Sequence, residues 1–377
     1  MTCCLALAMQ QATPSPELSP SAKTPSSSQA PSSSTTSSSS PWTFAVSGDS
    51  RNCGNVVMPA IAASVKQSNA AFYWHLGDLR AIYAPDEDYR NEPERRGKPV
   101  DMQLYLKDAW PDFITRQLNP FKPLPVYLGI GNHELTAPKT RQDFEKTFAD
   151  YLNAPALQQQ RLADKTNDQP HTYFHWIQRG IDFIYLDNAS QDQFDDQQMA
   201  WLQGVLERAK TNADVHGLIV GMHEALPNSL ASGHSMNAWV LGIKSGERVY
   251  TELIDFQKAT SKPVYVLASH SHFYMSDVFD SDYWRSHEGV LPGWIVGTAG
   301  AVRYPLPDTK GRAKEHRENV YGYLLVTVSP SSGIAEFSFK ELTKNDLRLA
   351  VGKIYTDKFI DFCFDENSEV KKAPAKR

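Results

Sequence analysis

Three short apolar runs in the first third of the chain each end in glycine followed by a side chain able to bind a cation. Trp42 to Val46 leads into Ser47-Gly48-Asp49, Phe72 to Leu76 into Gly77-Asp78, and Leu124 to Ile130 into Gly131-Asn132-His133-Glu134. Apolar runs of this length, bounded by glycine, are buried strands running into loops. Glycine suits a place where the backbone must turn sharply beside a ligand. Cation-binding residues released at the carboxyl ends of neighbouring strands converge on one place, as sites on α/β sheets do. This pattern alone supports a mixed α/β enzyme and nothing finer.

The second half continues in the same manner. His171 to Arg179 and Ile181 to Asp187 read as paired strands, and Leu218 to Met222 is a strand leading into His223. Pro263 to Ala268 is a strand leading into Ser269-His270-Ser271-His272, and Trp294 to Val296, Tyr321 to Val328 and Ile334 to Phe339 add further strands. Val56 to Lys66, Asp195 to Lys210 and Glu247 to Thr260 carry apolar residues at helical spacing. Two sheets covered by helices fit this order better than one doubly wound sheet. The polar, charged segment from Ala81 to Pro111 reads as an insertion near the mouth of the site, and it and the Pro227–Ser245 loop are candidates for setting specificity.

Three regions follow from composition: a disordered leader or linker over residues 1–41, a folded domain over 42–366 and a loose charged tail over 367–377. From Gln11 to Pro41 the chain is dominated by Ser, Thr and Pro, which cannot repay the entropy of folding. Cys3 to Met9 is apolar but too short to span a bilayer, and no Lys or Arg precedes it. Two readings stay open: the remnant of an export signal, with Cys3 or Cys4 as a lipid-attached membrane tether, or the leader of a cytoplasmic enzyme. The net charge of −5, with no long basic run, argues against nucleic acid as a partner. Four cysteines without a C-x-x-C pair make neither a disulfide scaffold nor a thiolate zinc site. Cys53 reads as a buried inert thiol, with pairing to Cys363 open in an oxidising compartment.

Asp49, Asp78, Asn132, His223, His270 and His272 all follow predicted strands. Together they form a mixed oxygen and nitrogen donor set suited to Mn, Fe or Zn. One carboxylate can bridge two cations about 3.5–4 Å apart, the spacing that clamps a phosphate. The ordered motifs Gly48-Asp49, Gly77-Asp78, Gly131-Asn132-His133-Glu134, His223 and His270-Ser271-His272 resemble those of the calcineurin-like metallophosphoesterase superfamily, over about Thr43 to Gly300. The resemblance implies a four-layer α/β/β/α sandwich with two central mixed sheets. It implies hydrolysis of a small-molecule phosphomonoester or phosphodiester by metal-activated hydroxide, with one or two divalent or trivalent transition metals. Asp78 would bridge the metals, Asp49 and His272 would hold the first, and Asn132, His223 and His270 the second. His133 would serve the leaving oxygen as general acid, and Glu134 would orient His133 or its loop. No protein partner is implied.

The chain departs from the family pattern in three places. Many members carry Asp-x-His in the first motif, whereas here the third position is Arg51, whose guanidinium cannot ligate a cation. The first site is therefore short of one ligand, and Arg51 is a candidate for binding the substrate phosphate. Ala81 stands where purple acid phosphatases place a tyrosine, so no coloured tyrosinate–iron site is expected, and Ser269 replaces a usual glycine. The rival reading is a metal- or phosphate-binding protein without turnover, built on a degenerate first site. A nuclease is disfavoured by the acidic balance. Among the other histidines, His75, His171 and His175 read as structural, while His234 lies in a polar loop and could line the pocket. The tryptophans Trp201, Trp239, Trp284 and Trp294 read as core or capping residues.

Overall fold

A computed structural model describes residues 40–165, 169–190, 193–231 and 233–370; the expected leader and the end of the tail fall outside the described residues, apart from Ser40 and Pro41. The strands form two sheets. The first runs β12 (Ala335–Glu341), β11 (Gly322–Val328), β1 (Trp42–Ser47), β2 (Tyr73–His75), β3 (Val126–Leu128). The second runs β10 (His316–Arg317), β8 (Tyr274–Ser276), β9 (Gly293–Val296), β7 (Val264–Ala268), β6 (Gly217–Met222), β5 (Ile181–Leu186), β4 (Phe174–Gln178). Both are mixed. β1, β2 and β3 are parallel, with β11 antiparallel to β1 and β12 to β11. In the second sheet β5, β6, β7 and β9 are parallel, flanked by antiparallel β4 and β8.

Period-two patterning divides each strand between two cores, which makes four layers. Phe44, Val46 and Trp74 of the first sheet face Phe183, Tyr185, Ile219 and Leu267 of the second in one inner core. Ala45 and Tyr73 point the other way, onto helix Gly54–Gln67 and the C-terminal helices through Val57, Ile61, Leu347 and Phe359. Ile184, Val220 and Val266 turn outward onto helices Asp196–Thr211 and Val240–Thr260. The inner core is dense in rings: Phe44 stacks on Phe72 at 5.0 Å, Tyr127 on Trp176 at 3.9 Å, and Phe183 meets Phe44 edge-on at 5.1 Å. Such pairs contribute about 0.5–1.5 kcal/mol each beyond their buried area. They lock the two sheets at a fixed separation, and loops from both sheets meet beyond their carboxyl ends.

Four sequence expectations are refined or corrected. The Ala81–Pro111 segment, read as an insertion near the mouth of the site, is packed: it leads into helix Met102–Phe113 and buries Tyr89, Tyr105 and Ala109. Its charges surround the buried Arg80, which donates 2.7 Å bonds to Asp88 and Asn55 and also pairs with Asp112. Second, the helix expected from Glu247 begins at Val240, inside the Pro227–Ser245 segment. Third, Cys53 is not a free thiol: it forms a disulfide with Cys363, tying the loop after β1 to the C-terminal end of the domain. Fourth, Trp239 is 46% exposed, whereas Trp284 is buried and stacked on Tyr250. Packing also runs past Glu366, since Asn367 is buried and donates to the Gly300 carbonyl. Among the described residues no helix is long and apolar enough to cross a membrane.

Candidate metal centre

The site is built where five parallel strands end. Asp49 follows β1, Asp78 follows β2, Asn132 and His133 follow β3, His223 follows β6, and His270 follows β7. Three of these residues, Asp49 (φ 61°), Asp78 (φ 60°) and His270 (φ 62°), adopt left-handed backbone. A side chain there costs conformational energy, and such strain collects at functional sites. The surroundings over-determine it: Asp49 N–H donates to the Gly77 carbonyl at 3.0 Å and Ser50 N–H to the Asp78 carbonyl at 2.9 Å. Gly131 has to be glycine, because a Cβ would run into the Asp78 carboxylate and amide. A Cβ on Gly77, which adopts φ +99°, would in turn run into the Gly131 backbone. Glu134 binds these loops together, its buried carboxylate accepting 2.9 Å bonds from the amides of Asp78, Leu79 and Gly131. Burial and the nearby Asp78 push its pKa up to about 8.

Four donors gather on one side of Asp78. His223 Nε2 lies 3.3 Å from Asp78 Oδ1, 3.0 Å from Asn132 Oδ1 and 3.2 Å from His270 Nδ1. The ligand atoms of Asp78, His223 and His270 lie within 4.8 Å of one another. His223 Nδ1 faces the Leu76 carbonyl at 3.0 Å, so Nδ1 carries the proton and the Nε2 lone pair points inward. Lone pairs of imidazole, amide and carboxylate thus converge with no donor between them, which only a cation or a proton can satisfy. Although burial disfavours the charged ring, Asp78 above all draws positive charge to His223 and raises its pKa to about 10. Burial and the neighbouring His223 push His270 down to about 3, leaving it neutral and ready to ligate. These residues fit a metal ion.

The other side of Asp78 is different. His272 Nδ1 is held by the Val302 carbonyl at 2.6 Å, and its Nε2 faces Asp49 Oδ1 at 3.2 Å. Burial and the proximity of Arg51 lower the His272 pKa, while Asp49 opposes them. Asp49 Oδ1 and Asp78 Oδ2 are both buried without a hydrogen-bond partner. Arg51 lies among these atoms: Nη2 is 3.2 Å from His272 Nε2, and Nε is 3.6 Å from Asp78 Oδ2. Two tyrosines close the guanidinium in, the hydroxyls of Tyr83 and Tyr304 each standing 3.5 Å from it. His133 sits beside the centre, Nε2 3.7 Å from Asp78 Oδ2, with Nδ1 anchored on the Ala81 carbonyl at 2.8 Å and the backbone N–H on Asp78 Oδ1 at 3.0 Å.

All eight residues singled out in the sequence therefore gather at one site. His234 joins its edge, stacked on Tyr304 at 5.1 Å and 5.7 Å from the His270 ring. His75 is a satisfied core histidine, between Ser50 Oγ at 3.0 Å and the Gly77 amide at 3.2 Å. His175 is structural, sandwiched between Asp182 and Asp164. Sequence reasoning missed Tyr83 and Tyr304. Tyr83 is 59% exposed with its ring 5.4 Å from His133, and Tyr304 stacks on His272 at 4.0 Å. Both lie in loops without a glycine or a strand pattern beside them, so no local signal marks them.

No family model matches the chain, and no curated protein matches it by sequence. Solved structures do. The structure of PhoD matches at TM-score 0.53 and 13% identity, over 80% of this chain and 72% of that one. Purple acid phosphatase PPD1 from yellow lupin (Lupinus luteus) seeds matches at TM-score 0.51 and 14% identity, over 82% of this chain and 55% of that one. The chain thus spans little more than half the length of the plant protein. Both structures have the metallophosphoesterase fold, and the two helix-covered mixed sheets described above share it.

Proposed function

We propose that this chain is a metal-dependent hydrolase of phosphate esters, acting on a small-molecule phosphomonoester or phosphodiester. One observation carries the reading: Asp78, Asn132, His223 and His270 turn unshared electron pairs into one buried point, beside two carboxylate oxygens that accept no hydrogen bond. A protein that needed these groups only for stability would not leave them unpaired, since each buried unsatisfied polar atom costs about 1–3 kcal/mol. A Mn, Fe or Zn ion held there would supply Lewis acidity, neutralising phosphate charge and acidifying water.

The chain's own residues supply the rest. Asp78 is shared between both halves of the site, and the Glu134 clamp keeps its loop in register with the Asn132–His133 loop. Arg51 presents a permanent positive charge to the non-bridging phosphate oxygens, which its planar fork suits. His133 is anchored by its Nδ1–H on the Ala81 carbonyl, so Nε2 faces the cavity, and the imidazolium form of the ring can deliver its Nε2 proton to the departing ester oxygen. Tyr83 and Tyr304 border the entrance and bound the group attached to phosphorus. The shared fold supports the reaction class, and the donor set supports the metal.

The test is hydrolysis of a chromogenic phosphomonoester and its matching diester by metal-stripped protein, with Mn, Fe and Zn restored separately. Turnover that returns with a metal supports the proposal, and the better ester names the class. A protein that binds metal tightly yet turns over neither ester with any of the three would refute it.

A further inference from the structure

We infer that the centre holds a single metal ion, in the Asp78–Asn132–His223–His270 pocket, and that the Arg51 guanidinium takes the place of a second. The inference rests on the metal-dependent reading above and concerns how that centre is composed.

Geometry comes first. The atoms that could hold another ion are Asp49 Oδ1, Asp78 Oδ2 and His272 Nε2, and a guanidinium already lies against them. Arg51 Nη2 is 3.2 Å from His272 Nε2, whose lone pair is turned inward by the Val302 carbonyl. Arg51 Nε is 3.6 Å from Asp78 Oδ2. On the opposite side of Asp78, His223 Nε2, Asn132 Oδ1 and His270 Nδ1 converge with no guanidinium or ammonium group among them. The two halves of one site thus differ in the single respect that decides metal binding.

Position and charge point the same way. The Arg51 side chain is only 9% exposed, and it cannot swing into solvent without parting from Tyr83, Tyr304 and His272. Its loop is fixed on both sides, by Ser50 N–H on the Asp78 carbonyl and by Cys53 N–H on the Gly300 carbonyl at 3.1 Å. A guanidinium stays charged throughout the range where proteins fold. Two carboxylates facing one guanidinium and one divalent ion are neutralised and more. A second ion would have to enter beside a fixed positive charge, with three protein donors, one of them already shared. Arg51 is then a built-in cation: it needs no metal supply, and it offers phosphate a hydrogen-bonding fork in place of an open coordination position.

The experiment counts metals. Metal-stripped full-length chain is reloaded with Mn(II), freed of excess ion, and examined by elemental analysis and by low-temperature electron paramagnetic resonance. The expected result is about one Mn per chain with the spectrum of an isolated ion. Arg51→His, which removes the guanidinium and restores a donor, should take up about two, with the spectrum of a spin-coupled pair. Two coupled ions in the unsubstituted chain would overturn the inference, and that measurement needs no variant to fold. An Arg51→His chain that folds yet holds no more Mn than its parent would overturn it too. One tightly held ion without turnover defeats the hydrolase proposal and leaves this inference standing, whereas two coupled ions with turnover do the reverse.

Discussion

The Cys53–Cys363 disulfide closes a loop of 310 residues, nearly the whole folded domain, and its removal yields a sharp expectation. Cross-linking stabilises chiefly by restricting the unfolded chain, and for a loop of that span the chain-entropy relation gives about 6 kcal/mol at 25 °C. Measured disulfides usually fall short of this ceiling, so a loss of about 4 kcal/mol is the working figure. Unfolding a domain of this size carries an entropy of about 0.7 kcal/mol/K, so the midpoint should fall by about 6 °C. The effect reaches the site, because Cys53 ends the loop that carries Asp49 and Arg51 and its amide donates to Gly300. The assay is calorimetry of the oxidised chain, the reduced chain and the Cys53→Ala/Cys363→Ala double variant, with peptide mapping to count the bond. Reduction of the parent separates loss of the bond from change of side chain. Equal midpoints for oxidised and reduced chains, or free thiols at both positions in protein kept under oxidising conditions, would show the reasoning wrong.

Two further outcomes follow from buried polar groups. Glu134→Ala leaves the amides of Asp78, Leu79 and Gly131 without their acceptor, and at about 1–3 kcal/mol for each buried unpaired group the domain should lose at least about 3 kcal/mol in urea unfolding, together with metal affinity; a loss under about 1 kcal/mol would mean that the clamp is dispensable. Against the opposing effect of burial, Asp182 and Asp164 raise the His175 pKa to about 9, above the ordinary 6.5. A raised folded-state pKa stabilises fully below the unfolded value and loses that contribution as pH climbs through the folded one. Stability should therefore decline by about 3 kcal/mol between pH 6.5 and 9, and His175→Gln should flatten that slope; an unchanged slope in the variant would contradict the assignment.

What the sequence disclosed, and what it hid, divides along physical lines. Strand existence was legible because β1, β2, β5, β6 and β7 alternate between two cores and must be apolar on both faces. The candidate ligands were legible because Asp49, Asp78, Asn132, His223 and His270 each follow a strand end within a few residues. His75 was read as core from its place in an apolar strand, and the structure buries it between two local partners. Short β8 and β10 were missed because neither lies in an apolar run that ends in glycine, the signal that marked the equally short β2 and β3. The packing of the Ala81–Pro111 segment was not legible because its Asp86 and Asp88 turn inward onto the buried Arg80, and composition does not distinguish a buried ion cluster from a solvated one. Helix Val240–Thr260 starts early since its first turn is exposed, with Val240 and Leu241 in solvent, so no buried face marks it. The disulfide was left open because 310 residues separate its cysteines and nothing local brings them together. Arg51 was recognised as out of pattern, but only the fold shows that it points at Asp78 and His272.

The central claim is that these strand-end residues form one metal-dependent hydrolytic centre with Asp78 at its middle. Asp78→Asn keeps the size of the side chain and removes the charge that both halves share, so it tests the claim most directly. Metal content and phosphate-ester turnover should be measured on the parent and on Asp78→Asn after identical reloading. The account predicts metal-dependent turnover in the parent and, in the folded variant, turnover reduced at least about a hundredfold with weakened metal binding. A variant that keeps the parent's metal content and turnover would contradict it.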